Sequence, residues 1–301
     1  MENVMRDDIG AHKDGQGAAD LKDDKPASAV VVGIDGSHRA IAAALWAVDE
    51  AVERDIPLRL IYAIEPRQQS DDDLYSAYDV ATAEIATQGA VLAVQSCDRP
   101  VKLEVEILQG RAQEVLIGQS HSAALICVGA LSRDRASDHR VASTAAALSR
   151  HAHCPVVVVR GSRYAGRQGS VLIEFEDLRD FEDELAQGLH AATLRGAAVQ
   201  IIACRSGQGS STYGADTDLL RARLNRLLEP WRHKYAGASL DVIISQRQIT
   251  DYLAHERDSV QLLVVGRHRK QGVSKLIDQI PTVGCPGTTC TVMIGGHDLR
   301  L

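Results

Sequence analysis

Apolar residues recur along this chain in two alternating rhythms. Ala29-Val-Val-Val-Gly-Ile-Asp35 is a short β-branched run that ends at Gly36-Ser37, and runs of that length and composition predict buried strands. Beyond it, Ile41, Ala44, Leu45, Val48 and Val52 fall at helical spacing, with Ser37 placed to cap that amphipathic helix. Leu58–Ala63 predicts a second strand, Asp71–Asp73 an acidic loop, and the Ala-rich stretch ending near Cys97 a long helix. Val101–Leu108 and Ala112–Ser122 predict the third strand and third helix. Ala124–Gly129 is a fully apolar fourth strand, Val141–His151 a fourth helix and Pro155–Val159 a fifth strand.

Strands alternating with helices require a parallel sheet with right-handed crossovers. Five such units predict a doubly wound sandwich of strand order 3-2-1-4-5, with strands one and four meeting at the switch point where ligands bind. The same grammar then repeats. Leu103-Glu-Val-Glu-Ile107 matches Leu240-Asp-Val-Ile-Ile244, and Leu125–Gly129 matches Leu262–Gly266; Leu240 lies 137 residues beyond Leu103, as Gly266 does beyond Gly129. Leu58–Ala63 matches Val199–Cys204 at an offset of 141, a loop difference that costs little. The expected architecture is therefore α/β, two doubly wound five-stranded parallel-sheet sandwiches in tandem. Residues 1–27 read as a disordered tail, 28–160 as the first domain, 161–169 as a linker rich in Gly, Arg and Ser, 170–296 as the second domain, and 297–301 as a tail.

Composition narrows the function. Aromatic residues are only 4% of the chain, so Ala, Val, Ile and Leu must build the cores. A formal charge of −7 argues against non-specific binding to nucleic acid or acidic membranes, which needs a positive field. No apolar run approaches the roughly 18 residues of a membrane span, and the acidic, polar start has no secretory core; a soluble, cytoplasmic protein is expected. The six cysteines include Cys127, Cys154, Cys204 and Cys290 within or beside apolar runs, where they read as small hydrophobes in a reducing compartment.

Candidate chemistry gathers at the end of the fourth strand, in Gly129-Ala-Leu-Ser132-Arg-Asp-Arg-Ala-Ser-Asp-His-Arg-Val-Ala142-Ser143-Thr144. A glycine there lets backbone pass close to a ligand, and a small residue with Ser-Thr at a helix start offers amides, hydroxyls and the positive helix end to phosphate. Asp35, at the tip of the first strand just beyond Gly33, would face the same crevice and accept hydrogen bonds from adenine or ribose.

At this point the chain resembles the universal stress protein family in its tandem form. The resemblance rests on Val30-Val-Val-Gly-Ile-Asp-Gly-Ser37, Leu45-Trp-Ala-Val-Asp-Glu-Ala51, Gly129 through Thr144, and His151-Ala-His-Cys-Pro-Val-Val-Val-Val159. It implies an adenine-nucleotide alpha-hydrolase-like fold, and the family's ATP-binding members carry Gly, two residues, Gly, nine residues, then Gly and Ser or Thr. Here Ser132 and Ala142 stand in place of the second and third glycines. By the resemblance, Gly33 and Asp35 meet the adenine end, Gly129 the ribose, and Ala142, Ser143 and Thr144 the phosphates, with Arg135 as a further phosphate partner and magnesium as a companion ion. A side chain where glycine had positive φ costs about 1–2 kcal/mol, or roughly tenfold in affinity, so the implied ATP binding is weak.

Other features carry plainer readings. In the second domain Glu176 falls where Asp35 stood, and Gly266 is followed by Arg267-His-Arg-Lys270; this basic loop reads as solvated, with anion binding as the alternative. His151, His153 and Cys154 do not make a zinc site, because Cys154-Pro155 leads straight into a strand. Trp46 reads as core or interdomain packing. Val156–Val159 would be a sheet edge, and pairing with the sister domain or with a second chain in a homodimer would cover it. The function these observations predict is a non-catalytic, stress-linked regulator that binds ATP weakly through its first domain. Nucleotide would order the Arg133–Val141 loop and alter a surface read by an unidentified protein partner. The alternatives are a scaffold without nucleotide and a slow ATPase, although no Walker lysine motif or Ser-His-Asp set is present.

Overall fold

A computed structural model describes residues 28–66, 77–130, 139–160, 169–178, 181–204, 213–235, 237, 239–256, 260–283 and 290–296. The tails, the linker at 161–168, Asp71–Asp73, Ser132 and Arg135 lie outside the described residues. Strand and helix alternate in the first half: β1 (Ala29–Ile34), α1 (His38–Glu53), β2 (Leu58–Ile64), α2 (Ala77–Gln95), β3 (Leu103–Gln109), α3 (Ala112–Gln119), β4 (Ala123–Gly129), α4 (His139–His151) and β5 (Val156–Val159). The second half follows with β6 (Ser170–Glu174), α5 (Phe181–Arg195), β7 (Val199–Cys204), α6 (Tyr213–Lys234), β8 (Leu240–Ser245), α7 (Ile249–His255), β9 (Val260–Val265), α8 (Val273–Val283) and β10 (Thr291–Ile294).

All ten strands form one sheet, in the order β3-β2-β1-β4-β5-β10-β9-β6-β7-β8. Each half has the expected 3-2-1-4-5 order, and every neighbouring pair is parallel except the central one, where β5 meets β10 antiparallel with Val156 opposite Ile294 and Val158 opposite Val292. The valine edge is thus covered from within the chain. With β4 on its other side, β5 has no edge left for another chain in this arrangement.

Continuous apolar strands fit this position because helices cover both faces of the sheet. On one face α1, α2, α5 and α6 pack over a core that runs from Val30 and Leu60 through Val157 and Met293 to Ile173 and Ile201. On the other, α3, α4, α7 and α8 cover Ile126, Val156, Val292 and Leu263. Both cores cross the junction without a break. Burial pushes the thiols of Cys154, Cys204 and Cys290 up to about 12, so they serve as packing groups.

Polar contacts also cross the junction. Glu50 of α1 is fully buried, yet Arg195 Nη1 of α5 approaches it at 2.9 Å, Arg54 Nη2 at 3.2 Å and His190 Nε2 at 3.5 Å. Burial opposes its charge, but His190, Arg195 and Arg54 together hold the carboxyl down at about 2. The Arg195 guanidinium lies 4.3 Å above the Trp46 ring, which makes Trp46 an interdomain contact. On the opposite face, Arg267 of the second half donates to the carbonyls of Ala152 and Cys154 at the end of α4. Arg160 of the first half donates to the Ile277 carbonyl within α8.

Candidate functional site

The carboxyl ends of β1 and β4 diverge at the switch point, and the candidate residues of the first half are arranged around them. Asp35 follows β1 directly and is exposed. Its Oδ1 accepts the Ser37 amide at 2.9 Å, and Ser37 Oγ accepts the Ala40 amide at 3.1 Å. The Asp35 carboxylate is thereby fixed by the same turn that caps α1. Gly36 between them has φ of +79°, a left-handed conformation that favours glycine. Tyr62 of β2 sits beside Ile34 in the register. Burial, and then the charges of Asp35 and Asp79, raise its phenol. A half-buried aromatic therefore stands in the field of the carboxylate, a residue that sequence reasoning missed. Its position at the carboxyl end of the second strand was the available signal.

Both glycines singled out from the sequence have packing neighbours. A Cβ on Gly129 would lie 2.6 Å from the carbonyl carbon of Arg39 and 2.8 Å from its oxygen, so the absent side chain is what lets the first turn of α1 cross the end of β4. A Cβ on Gly33 would meet Leu116 Cδ1 at 3.0 Å. The close approach anticipated for a ligand is made, at these two positions, by helices α1 and α3.

The helix expected from Val141 begins at His139. The unbonded amides of a helix are those of its first turn, so they precede Ala142. Ser143 and Thr144 fall in the second turn, where their amides bond within the helix, and Thr144 is half-buried. The unbonded helix amides therefore lie on the amino-terminal side of Ser143 and Thr144. Among the described residues the first turn of α4 carries no acidic residue, and Arg150 and His151 lie in its last turn.

The second crevice is built on the same positions with opposite contents. Val30 pairs with Leu58 and Leu125, and Val171 pairs with Val199 and Leu262. Glu174 accordingly stands in the place of Gly33, Glu176 in that of Asp35, and Arg269, three residues past Gly266, in that of Ser132. Arg269 Nε donates to Glu174 Oε2 at 2.7 Å and Nη2 to Oε1 at 3.2 Å, with side-chain exposures of 4% and 3%. Burial pushes the Glu174 carboxyl up against the pull of Arg269. The Lys270 amide donates to Glu176 Oε2 at 2.8 Å. What remains among Glu174, Glu176, Glu184 and His268 has room for about one water molecule. The expectation of a solvated basic loop is corrected here: Arg269 is buried on Glu174, and Arg267 is committed to the end of α4. His121 and His153 stack at 3.8 Å, and no cluster suited to a metal ion occurs among the described residues. Among them no helix is long and apolar enough to cross a membrane.

Comparison with known proteins agrees with this layout. The model of the universal stress protein family matches residues 27–160. A universal stress protein of Mycobacterium tuberculosis is 41% identical over 286 residues, spanning 91% of this chain and 97% of its own length. Another from the same organism is 36% identical over 248 residues, covering 82% of this chain and 91% of that relative. Among solved structures, a universal stress protein from Archaeoglobus fulgidus superposes with a TM-score of 0.65 at 14% identity, covering 91% of this chain and 97% of that one, a likeness of fold.

Proposed function

This chain belongs to the universal stress protein family, and from that premise we propose that it is a non-catalytic regulator whose first half binds one ATP weakly. The contrast between the two crevices carries the reading. Gly33 and Asp35 in the first are replaced in the second by Glu174 and Glu176, and among the described residues an ion pair, Arg269 with Glu174, fills the space at the strand ends of the second. In the first, the Asp35 carboxylate, the Tyr62 ring and the amino-terminal end of α4 supply an acceptor, an aromatic surface and an anion-binding helix end. These are the three chemistries an adenine nucleotide needs. Side chains at Ser132 and Ala142, where ATP-binding relatives have glycine, account for weak affinity.

A nucleotide so placed lies against α1 and α4. Those helices touch α5 and α8 of the second half, so occupancy is sensed on both faces of the sheet. The residues assigned here serve binding alone. Calorimetric titration of the intact chain with ATP, with and without magnesium, tests the reading through two variants. Asp35→Ala lowers affinity by about tenfold or more, the loss of a hydrogen bond from a charged acceptor, whereas Glu176→Ala leaves it unchanged. Equal effects of the two substitutions, or no heat at millimolar ATP in the unmodified protein, would leave a scaffold without nucleotide as the function.

A further inference from the structure

Helix α2 is apolar on two sides. Its inner face, Ala83, Thr87, Ala90 and Val94, is buried against the sheet and α1. The opposite face carries Tyr78, Ile85 and Leu92 at seven-residue intervals, 74%, 75% and 57% exposed. Interleaved with them are Ala81, Gln88 and Gln95, also exposed and uncharged. In heptad terms these six residues are successive a and d positions, the seam that a coiled coil buries. Helices apolar all round are buried all round in folded proteins, and among the described residues none covers the outer side of this one.

The fold does not impose such a surface. Helix α6 occupies the corresponding place in the second half, and its outward positions hold Leu219, Ala222, Arg226, Glu229 and His233, all exposed, with Leu219 the one large apolar residue among them. The flanking edge strands differ in the same sense. Val105 and Ile107 of β3 are exposed, whereas their counterparts in β8, Val242 and Ile244, are half-buried. The apolar outer face belongs to one end of the sheet only.

We infer that this face pairs with the same face of a second copy of the chain, α2 packing antiparallel on α2 about a two-fold axis. In an antiparallel pair, a positions face d positions of the partner helix. Placing Ile85 against Gln88 of the second copy also places Leu92 against Ala81 and Tyr78 against Gln95. One register thus satisfies all six positions, each larger side chain opposite a smaller or more flexible one. A contact that maps onto itself in this way closes after two subunits.

Charge selects the same occupant. Helix α2 contains no Lys or Arg, and Glu84 is the one charged residue on its exposed surface. In this register Glu84 flanks the seam beside Val91 of the second copy, so no acid faces an acid. An anionic lipid surface or nucleic acid finds no positive charge here. The helix is roughly 28 Å long at 1.5 Å per residue. With the β3 flank, that places the contact toward the small, dissociable end of protein interfaces, so pairing depends on concentration.

Sedimentation velocity of the full chain across a wide concentration range tests the inference. The unmodified protein passes from a one-chain to a two-chain species, and Ile85→Glu raises the dissociation constant by at least about a hundredfold, because it sets like charges at the centre of the pair. Ile85 is mostly solvent-exposed in the single chain, so the far-ultraviolet circular dichroism of the variant matches the parent. Leu92→Glu provides a second, independent disruption should that spectrum change. A parent protein that remains one chain at every concentration overturns the inference. So does a two-chain species that persists undiminished in the folded variants.

Discussion

Two buried carboxylates, Glu50 and Glu174, show how single residues set the properties of this molecule. Glu50 is surrounded by Arg195, Arg54 and His190, and its carboxyl is held at about 2 against an ordinary 4.5. Its folded value lies below its unfolded one, so the unfolded chain takes up the proton first as pH falls. The stabilisation is therefore complete above about pH 4.5 and lost on the way down to pH 2, and the shift corresponds to about 3 kcal/mol. Urea denaturation at pH 6 and pH 3 should show the parent losing about 2 kcal/mol more than Glu50→Gln over the interval, the remainder going below pH 3; equal losses would refute the assignment. Neither carboxylate was visible from the sequence as a site. Glu50 lies 145 residues from Arg195 and Glu174 lies 95 from Arg269, and nothing local marks either separation. Asp35 was legible, because a carboxylate at the end of a buried strand and before Gly-Ser has a positional meaning of its own.

At the scale of elements, the strand order of each half and the alternation of its helices were readable because both rhythms are strong and the turn residues are well placed. The start of α4 was not. The helix expected from Val141 is described from His139, a difference of the size by which helix ends ordinarily scatter. Gly129 illustrates a different gap. The sequence indicated that backbone must pass close to it, without indicating whose; the passing group is Arg39 of α1. Gly129→Ala would consequently force α1 off the end of β4 and cost about 1–3 kcal/mol. Gly33→Ala should cost less, since the far end of Leu116 can move aside. Urea midpoints of the two variants rank the effects, and the reverse ranking would mean that α1 is not seated on β4 in this way.

At the scale of the whole molecule, the repeated strand order pointed to two related halves but left open whether the valine edge meets the sister half or another chain. Its partner is β10, and the two halves become one ten-stranded sheet with two uninterrupted cores. Arg267 and Arg160 then reach in opposite directions across the join. Those contacts give the second half a structural role: it completes the sheet, caps α4 and clamps α1. In the function proposed above, the halves differ in nucleotide chemistry while remaining coupled in structure. Equilibrium dialysis of the intact chain against labelled ATP, carried to saturation, tests that division most directly. Binding that levels off at one nucleotide per chain is the predicted result; a plateau at two, or no retained nucleotide at all, would contradict it.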